Sequence, residues 1–350
     1  MGPRLLAQCS ESRQPVEGVI AGARGWAHPV RDECSNMTGT TGGDASLLTF
    51  GCQKTALTNV NVYVIKDATS SGADTEGNLY VGGNLTPTSY YNVGAKDTLD
   101  CTRYALVVGG NVSNAIVYGG KAAVGGTIAN STDNACGGVT KTSSAVDFVT
   151  LASQVKNLSA LISNLTPNCA ASCSTNSSGT TVLTLTGSDS TLNVCNIDGS
   201  DLALATEVNL SFPLGSTVAV NVSGTAFPWG NGSVCLNGQC GDSAQADQVL
   251  WNLYQATSLY SQGIAIEGSI LAPYANLDGS GGHVAGQVIV NSMTCGLEFH
   301  PYYFTGCLSF SDPGASIPTP KATTTSVCAS ASSTLDAGSI VSADGGSAPP

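Results

Sequence analysis

Three glutamates and one histidine are the residues of this chain whose types favour acid–base chemistry. Glu76 and Glu267 each precede a glycine, and His300 follows Glu298 two positions later. Carboxylic acids and imidazoles are common proton donors and acceptors in catalysis. A structural interpretation explains Glu-Gly equally well, because a carboxylate at a tight corner accepts hydrogen bonds from backbone N–H groups. We favour the structural interpretation and predict no catalytic residues.

Other catalytic and metal-binding patterns fit this chain poorly. The stretch Gly119-Gly-Lys-Ala122 lacks the opening glycine and the final hydroxyl of a phosphate-binding loop. Nucleophilic serine chemistry would favour Gly-x-Ser-x-Gly, which does not occur. Cys-x-x-Cys pairs are absent and the histidines are only His28, His283 and His300, so we expect no structural zinc. The sequence predicts no metal ion and no other cofactor.

Short apolar segments that end in Gly-Gly recur along the chain. Glycine makes such a corner without a steric penalty from Cβ, and repetition of the unit is typical of a β-solenoid. We therefore predict a right-handed parallel β-solenoid in which coils from both halves stack into one body. The segments of the first half are Glu76–Leu85, Leu106–Val112, Tyr118–Gly120 and Val124–Ile128, and those of the second half are Ile266–Pro273 and Gly282–Val290.

One helix is predicted between the two groups of coils. From Ala145 to Leu165 the apolar residues recur at spacings of three and four, which places them on one face of a helix. We expect this helix to pack along the flank of the solenoid. Period-two alternation or β-branched residues predict four strands after it, over 181–186, 191–195, 207–212 and 217–223.

The glycine-corner motifs, together with Val249-Leu-Trp-Asn252, Gly263–Asn276, Gly286–Val290 and Glu298-Phe-His300, resemble the signature series of the choice-of-anchor A domain. The resemblance runs from about Leu47 to Phe310 and implies a secreted or surface-attached, adhesin-like β-solenoid with no known catalytic residues. This chain departs from the family in its many cysteines and in having no recognisable anchor. The signature positions, which we interpret as structural, are Glu76, Gly77, Gly82, Gly83, Gly109, Gly110, Glu267, Gly268, Ala272, Pro273, Glu298 and His300.

The charge balance excludes several classes of partner. The chain has 12 Lys and Arg against 24 Asp and Glu, and no basic residue occurs between Lys156 and Lys321. Nucleic acids and anionic membrane surfaces both require clustered cations, so neither is an expected partner. No stretch reaches the roughly 20 apolar residues of a transmembrane helix.

Thirteen cysteines and several Asn-x-Ser/Thr sequons indicate an oxidising secretory route and a disulfide-bonded glycoprotein. Cys169 with Cys173, and Cys235 with Cys240, are close enough in sequence to pair locally. Because the count is odd, at least one cysteine is free or forms an intermolecular bond. We expect the cysteine without an intramolecular partner to be among Cys9, Cys34 and Cys328. The cysteines that need distant partners are Cys52, Cys101, Cys136, Cys195, Cys295 and Cys307.

The composition also predicts three regions. Residues 1–46 read as a poorly ordered segment without a visible signal peptide, and we expect a truncated N-terminus rather than a cytosolic protein. Residues 47–310 form the solenoid domain. Residues 311–350 are rich in Ser, Thr, Ala and Pro and are predicted to be a disordered tail that is dispensable for folding.

Three functions from different classes remain open. The first is an extracellular or cell-surface structural and adhesive protein that binds a surface polymer or a wall protein, and we favour it. The second is a polysaccharide-active enzyme, which would need a cation beside its carboxylates that the second half does not supply. The third is an ice-binding solenoid, which we expect to show Thr-x-Thr rows; only Thr184-Leu-Thr186 suggests one.

Overall fold

The computed structural model describes residues 60–129, 133–143, 145–308, 319–320 and 324–329. The helices are α1 (Phe148–Ser163), α2 (Gly199–Leu204) and the 3-10 helix η1 (Ala246–Gln248). The strands are β1 (Val62–Val64), β2 (Ala68–Ser70), β3 (Asp74–Thr75), β4 (Leu79–Val81), β5 (Tyr91–Val93), β6 (Asp100–Val108), β7 (Val112–Ser113), β8 (Ala115–Val117), β9 (Gly120–Val124), β10 (Ile128–Ala129), β11 (Asp133–Asn134), β12 (Val139–Lys141), β13 (Ala170–Thr175), β14 (Thr181–Thr186), β15 (Leu192–Asp198), β16 (Glu207–Ser211), β17 (Thr217–Ser223), β18 (Ala226–Leu236), β19 (Gln239–Cys240), β20 (Val249–Asn252), β21 (Ser258–Glu267), β22 (Ser269–Ala285) and β23 (Val288–His300). The four strands predicted after α1 are present as β14 to β17.

Parallel pairing from coil to coil builds a solenoid with three sheets. The helix-covered sheet runs in the order β12-β9-β6-β4-β1-β23-β22-β20-β17-β15. The hydroxyl sheet contains β10, β7, Leu85, β2 and parts of β23, β22, β21 and β18. The histidine sheet runs β11-β8-β5-β3-β23-β22-β21-β18-β16-β14-β13. Within the described residues, β13–β14 and β18–β19 pair antiparallel.

The first described strand lies in the middle of this stack. Strand β1 lies between β4, on the next coil along the chain, and β23, the last strand. The first coils wind outward to β12, α1 then leads to the opposite end, and the remaining coils wind back until β23 meets β1. Coils of the two halves therefore form one body, as the sequence predicted.

Glycines at one corner are required by the close approach of successive coils. A Cβ on Gly82 would lie 2.3 Å from the carbonyl oxygen of Ile65, and a Cβ on Gly109 would lie 2.3 Å from that of Gly82. The amide of Gly109 donates to the carbonyl of Val81 at 2.8 Å, which holds the coils at this distance. Substitution at Gly109 would therefore push two coils apart.

Helix α1 covers five neighbouring coils of the helix-covered sheet. Its buried residues Leu151, Val155 and Ile162 pack on outward-facing apolar side chains, and Phe148 stacks on Tyr63 with ring centroids 6.1 Å apart. The outward-facing residues belong to one coil each: Tyr63, Ile289, Leu271, Leu250 and Ala219. Asn252 also donates from its side-chain amide to the carbonyl oxygen of Ser159 at 2.9 Å. The observed helix lies inside the predicted 145–165 segment.

None of the helices in the described ranges combines the length and the apolar character that a membrane crossing requires.

The disulfides differ from the expected pairing at four cysteines. Cys169 pairs with Cys195, not with Cys173, because four residues of extended chain separate Cys169 and Cys173 by about 13 Å, too far for a bridge. Cys173 instead pairs with Cys328, which we had expected to have no intramolecular partner. Cys295, which we had expected to pair with a distant cysteine, is instead a free thiol. It is buried in the core, and burial raises its pKa to about 12.

The other bridges agree with the sequence or were left open by it. Cys235 pairs with Cys240, the predicted local bridge, and Cys101 pairs with Cys136. Cys307 is also disulfide-bonded. Cys9, Cys34, Cys52 and residues 1–46 lie outside the described residues.

Part of the predicted tail is bonded to the solenoid. Besides the Cys173–Cys328 bridge, the amide of Cys328 and the hydroxyl of Ser326 both donate to the buried carboxylate of Asp201, at 2.9 and 2.6 Å. The amide of Thr324 donates to Ser223 Oγ at 2.9 Å. Residues 324–329 therefore belong to the folded domain, where we had expected a dispensable tail.

Candidate functional site

A row of hydroxyls crosses successive coils on the outside of the hydroxyl sheet. Inward-facing residues of this sheet are apolar and buried, so the residue after each of them points outward. Register places Thr294 beside Thr69, Thr69 beside Thr86, and Thr86 beside Ser113. We call these four residues the hydroxyl row; Thr86 and Thr294 are exposed and the other two are half-buried. Asp278, next to Thr294, is the first charged residue in the column.

A second set of polar contacts fixes the edge of this sheet. The side chain of Asp67 accepts from the amide of Asn84 at 2.7 Å, and Asn84 Oδ1 accepts from the amide of Asn111 at 2.9 Å. Asn111 Oδ1 then accepts from the amide of Thr127 at 2.8 Å. Each coil is thereby held to the next by a side chain, which keeps the hydroxyl row in register.

Aromatic side chains do not form a comparable row. Tyr63 and Tyr91 are buried. Tyr90, Tyr118, Tyr260 and Tyr274 are exposed, but none of them pairs in register with another, so they do not form a tyrosine row among the described residues.

The predicted acid–base residues meet on the histidine sheet. His283 pairs in register with Glu298, and Ala285 pairs with His300 on the same two coils. The imidazoles of His283 and His300 are stacked, with centroids 4.5 Å apart and planes 12° apart. Nε2 of His300 lies 3.6 Å from Oε2 of Glu298. Glu298 and His300 were candidates from their residue types, whereas no local motif indicated that His283 would stack on His300.

Asp242 joins the two histidines from a separate loop. Its Oδ1 lies 2.7 Å from Nδ1 of His300 and 3.8 Å from Nε2 of His283. The residue has a positive φ of 47°, a conformation that costs energy for a residue with a side chain. The loop follows the Cys235–Cys240 bridge, which restricts its freedom. We call Asp242, His283 and His300 the histidine cluster.

Glu267 lies beneath this loop as a buried backbone acceptor. It is fully buried, and its Oε2 accepts from the amide of Ser243 at 2.9 Å. Its other oxygen, Oε1, has no hydrogen-bond partner among the described residues. Burial raises the pKa of Glu267, and the carboxylate of Asp242 raises it further. The interpretation of Glu-Gly as a backbone cap therefore agrees with the contacts of Glu267.

The two histidines differ in their electrostatics. Burial lowers the pKa of His283, and the neighbouring His300 lowers it further. Burial also lowers the pKa of His300, but its hydrogen bond to Asp242 and the charges of Asp242 and Glu76 outweigh burial, so the net shift is upward. Asp242 and the stacked ring thus make the two imidazoles unequal in basicity.

A cation also reaches this sheet, which the sequence did not suggest. Nζ of Lys96 lies 3.6 Å from Oε1 of Glu76. The second half of the sequence contains no cation before Lys321, but the solenoid places a coil of the first half beside β23. Lys96 and Asp242 were missed because no local motif indicates them.

The remaining signature positions have packing roles. A Cβ on Gly77 would lie 2.8 Å from the Cβ of Asn61, and Gly268 adopts a φ of 109°. Ala272 and Pro273 are buried in β22. The four corner glycines, Gly82, Gly83, Gly109 and Gly110, stand where a Cβ would lie within 2.3–2.6 Å of a neighbouring coil.

A family model described as "Putative Ice-binding-like adhesive domain" matches residues 55–301, most of the chain. The chain belongs to this family. The description differs from the choice-of-anchor A domain that the motifs resemble, but both describe adhesin-like domains. It names no reaction.

Solved structures with similarity to this chain include several ice-binding proteins. One, from an Antarctic biological consortium, is 12% identical, with 75% of this chain and 93% of that chain covered at a TM-score of 0.34. One from the ascomycete Antarctomyces psychrotrophicus is 12% identical, with 70% and 96% covered at 0.31. The ice-binding protein domain of Shewanella frigidimarina is 12% identical, with 70% and 94% covered at 0.31. No curated protein matches the sequence.

Proposed function

We propose that this chain is a non-catalytic extracellular adhesive domain that binds ice through the hydroxyl row. The observation that carries the proposal is the in-register alignment of Thr294, Thr69, Thr86 and Ser113 on one outward face. Ice is the ligand that the family description suggests, and a repeated array of hydroxyls suits a surface whose hydrogen-bonding groups also repeat.

The hydroxyl row combines regular spacing with a rigid backbone. Neighbouring strands lie about 4.8 Å apart, so a residue at the same position of successive coils presents a hydroxyl at a constant interval. A hydroxyl can both donate and accept a hydrogen bond. That of Thr69 already donates to the carbonyl of Thr86 at 2.6 Å, which fixes its position and leaves it as an acceptor. The backbone ladder and the Asp67–Asn84–Asn111 contacts hold the row in place before the ligand arrives. Little side-chain freedom is therefore lost on binding, which favours affinity from individually weak contacts.

Ice-affinity partitioning tests the proposal. The full chain is cooled in slowly growing polycrystalline ice, and its fraction in the ice and in the liquid is measured. We expect enrichment of the wild type in ice, and a large loss of enrichment in Thr86→Tyr and Thr294→Tyr, whose added rings would disturb the row.

Thr184→Tyr is the matched control. Thr184 lies on β14 in the histidine sheet, in the Thr-x-Thr pair that the sequence alone singled out. This variant should partition like the wild type. Exclusion of the wild type from ice would contradict ice binding, and loss of enrichment only in Thr184→Tyr would place the binding face elsewhere.

If the chain does not bind ice, we propose a surface polymer or a wall protein as its partner. The disulfides of the chain agree with an extracellular or cell-surface location, since such bridges persist in oxidising compartments. We also retain as proposals the right-handed winding, the relation to choice-of-anchor A, glycosylation of the sequons and a domain core over 47–310.

A further inference from the structure

We propose that the histidine cluster is a binding site for a divalent metal ion of the zinc class. Asp242 Oδ1, His283 Nε2 and His300 Nδ1 each offer one ligand atom, and these atoms all lie within 4.8 Å of one another. Two imidazoles and a carboxylate suit Zn²⁺, Ni²⁺ or Cu²⁺. Ca²⁺ requires six to eight oxygen ligands, which this set does not supply. No metal was predicted from sequence, because the chain has no Cys-x-x-Cys pair and only three histidines.

The surroundings of the cluster match what metal-binding histidines require. A histidine that binds through one nitrogen usually donates its other N–H to a carboxylate or carbonyl. Nδ1 of His300 faces Asp242, and Nε2 lies 3.6 Å from the carboxylate of Glu298. Glu298 would therefore orient His300 for binding through Nδ1.

Unpartnered atoms provide a second, independent indication. Nε2 of His283 is buried and has no hydrogen-bond partner in the described structure, and the same is true of Oε1 of the fully buried Glu267. Buried polar atoms without partners are costly, so each calls for an explanation. A cation bound by His283 would satisfy its nitrogen directly and would lower the cost of the nearby buried carboxylate.

The loop that carries Asp242 is held in place for this contact. The Cys235–Cys240 bridge closes it on one side, and the bond from Ser243 to Glu267 anchors it on the other. Asp242 adopts a strained, left-handed backbone conformation, and this conformation brings its carboxylate to both imidazole rings. The side chains of His283 and His300 are 22% and 14% exposed, so the cluster lies at the surface, although Nε2 of His283 itself is buried until its ring tilts.

Binding requires a change in ring orientation. A metal ion lies near the plane of the imidazole that binds it, and the two planes are now almost parallel. His283 is the ring that can tilt, because no hydrogen bond fixes its Nε2. The three protein ligands would leave one position of a tetrahedral ion open.

Isothermal titration of the chelator-treated full chain with zinc chloride tests the proposal. We expect one ion per chain for the wild type and at least a tenfold loss of affinity in His283→Gln, His300→Gln and Asp242→Asn. Glu298→Gln should weaken binding about 10-fold or more, since partners of ligating histidines affect affinity by 10–100-fold. Asp278→Asn, an exposed carboxylate on another sheet, is the matched control and should bind like the wild type.

A spectroscopic measurement separates this site from adventitious binding. Cu²⁺ added to the wild type should show nitrogen coupling in its electron paramagnetic resonance spectrum, and the coupling should disappear in the variant that combines His283→Gln with His300→Gln. Far-ultraviolet dichroism and the melting temperature without metal establish that each variant is folded. Absence of binding, or binding and nitrogen coupling retained in that combined variant, would overturn the proposal. Ice partitioning in a chelator should be unchanged, so the two proposals fail independently.

Discussion

Val62, in the first described strand, lies in parallel register with Val288, in the last strand. The contact closes the solenoid in its middle, because one set of coils winds away from Val62 and the other set ends at Val288. Parallel strands paired over so long a sequence separation make the junction a non-local contact, whose loop-closure entropy must be offset by the contacts made there. The stability of the domain should therefore depend strongly on the residues of this junction.

Asn61 is the side chain that ties the junction together. Its Nδ2 donates to the carbonyls of Gly286 and His300, each at 3.0 Å, and its Oδ1 accepts from the amide of Gly77 at 3.2 Å. Asn61→Ala removes these three hydrogen bonds at a mostly buried junction and should lower the free energy of unfolding by about 2–3 kcal/mol. Urea denaturation measures the loss. Asn92→Ala, half-buried on β5, is the control and should change stability by less than about 0.5 kcal/mol.

The repeated units of the fold could be predicted from sequence, whereas their order in the stack could not. Gly-Gly corners such as Gly109-Gly110 indicate a local event, the close approach of one coil to the next. No local sequence pattern indicates that Val62 pairs with Val288 as well as with Leu79. The bonded segment at Cys328 was missed for the same reason, because its partner Cys173 lies 155 residues away.

The Cys173–Cys328 bridge should make the late segment necessary for full stability. Cys328→Ala combined with Cys173→Ala should lower the free energy of unfolding by about 2–4 kcal/mol, because the bridge closes a long loop. Thermal or urea unfolding of the oxidised proteins measures it. Removal of Cys235 and Cys240, whose separation is only 5 residues, should cost less. An unchanged melting temperature after loss of Cys328 would instead support the original prediction that the tail is dispensable for folding.

Asp147 should give helix α1 a stability that depends on pH. Its carboxylate accepts from the hydroxyl and amide of Thr150 and from the amide of Val149, and these bonds lower its pKa. A lowered folded pKa means that the stabilisation is present above the unfolded pKa and is lost as pH falls through the folded value. Asp147→Ala should therefore melt lower than the wild type at pH 7, and the gap should narrow in acid.

The comparison with Asp147→Asn isolates the charge. Asparagine caps a helix about as well as aspartate but does not titrate. This variant should keep its stability advantage over Asp147→Ala across the acidic range, as differential scanning calorimetry at several pH values would show. An equal narrowing in Asp147→Asn would mean that other carboxylates cause the effect.

The candidate site was predictable only in its parts. Glu267, Glu298 and His300 were named from their residue types, and the structure places them on neighbouring coils of one sheet. Asp242 comes from a loop whose path depends on a disulfide and on the buried Glu267, so its sequence position carries no signal. The hydroxyl row was missed because its members are single residues on separate coils, which only the register aligns.

The last prediction is that the domain releases no product from polysaccharides. Hydrolysis requires a carboxylate that can reach the substrate, whereas Glu267 is fully buried and already accepts from the amide of Ser243. Its contacts are those of a structural cap. We expect no reducing ends or unsaturated uronides after incubation of the full chain with plant, fungal and algal polymers. Product formation that Glu267→Gln abolishes, in a variant that melts like the wild type, would contradict the adhesive assignment. Loss of product in His300→Gln as well would place the reaction at the histidine cluster, and the approach of Lys96 to Glu76 would then supply the cation that such chemistry needs.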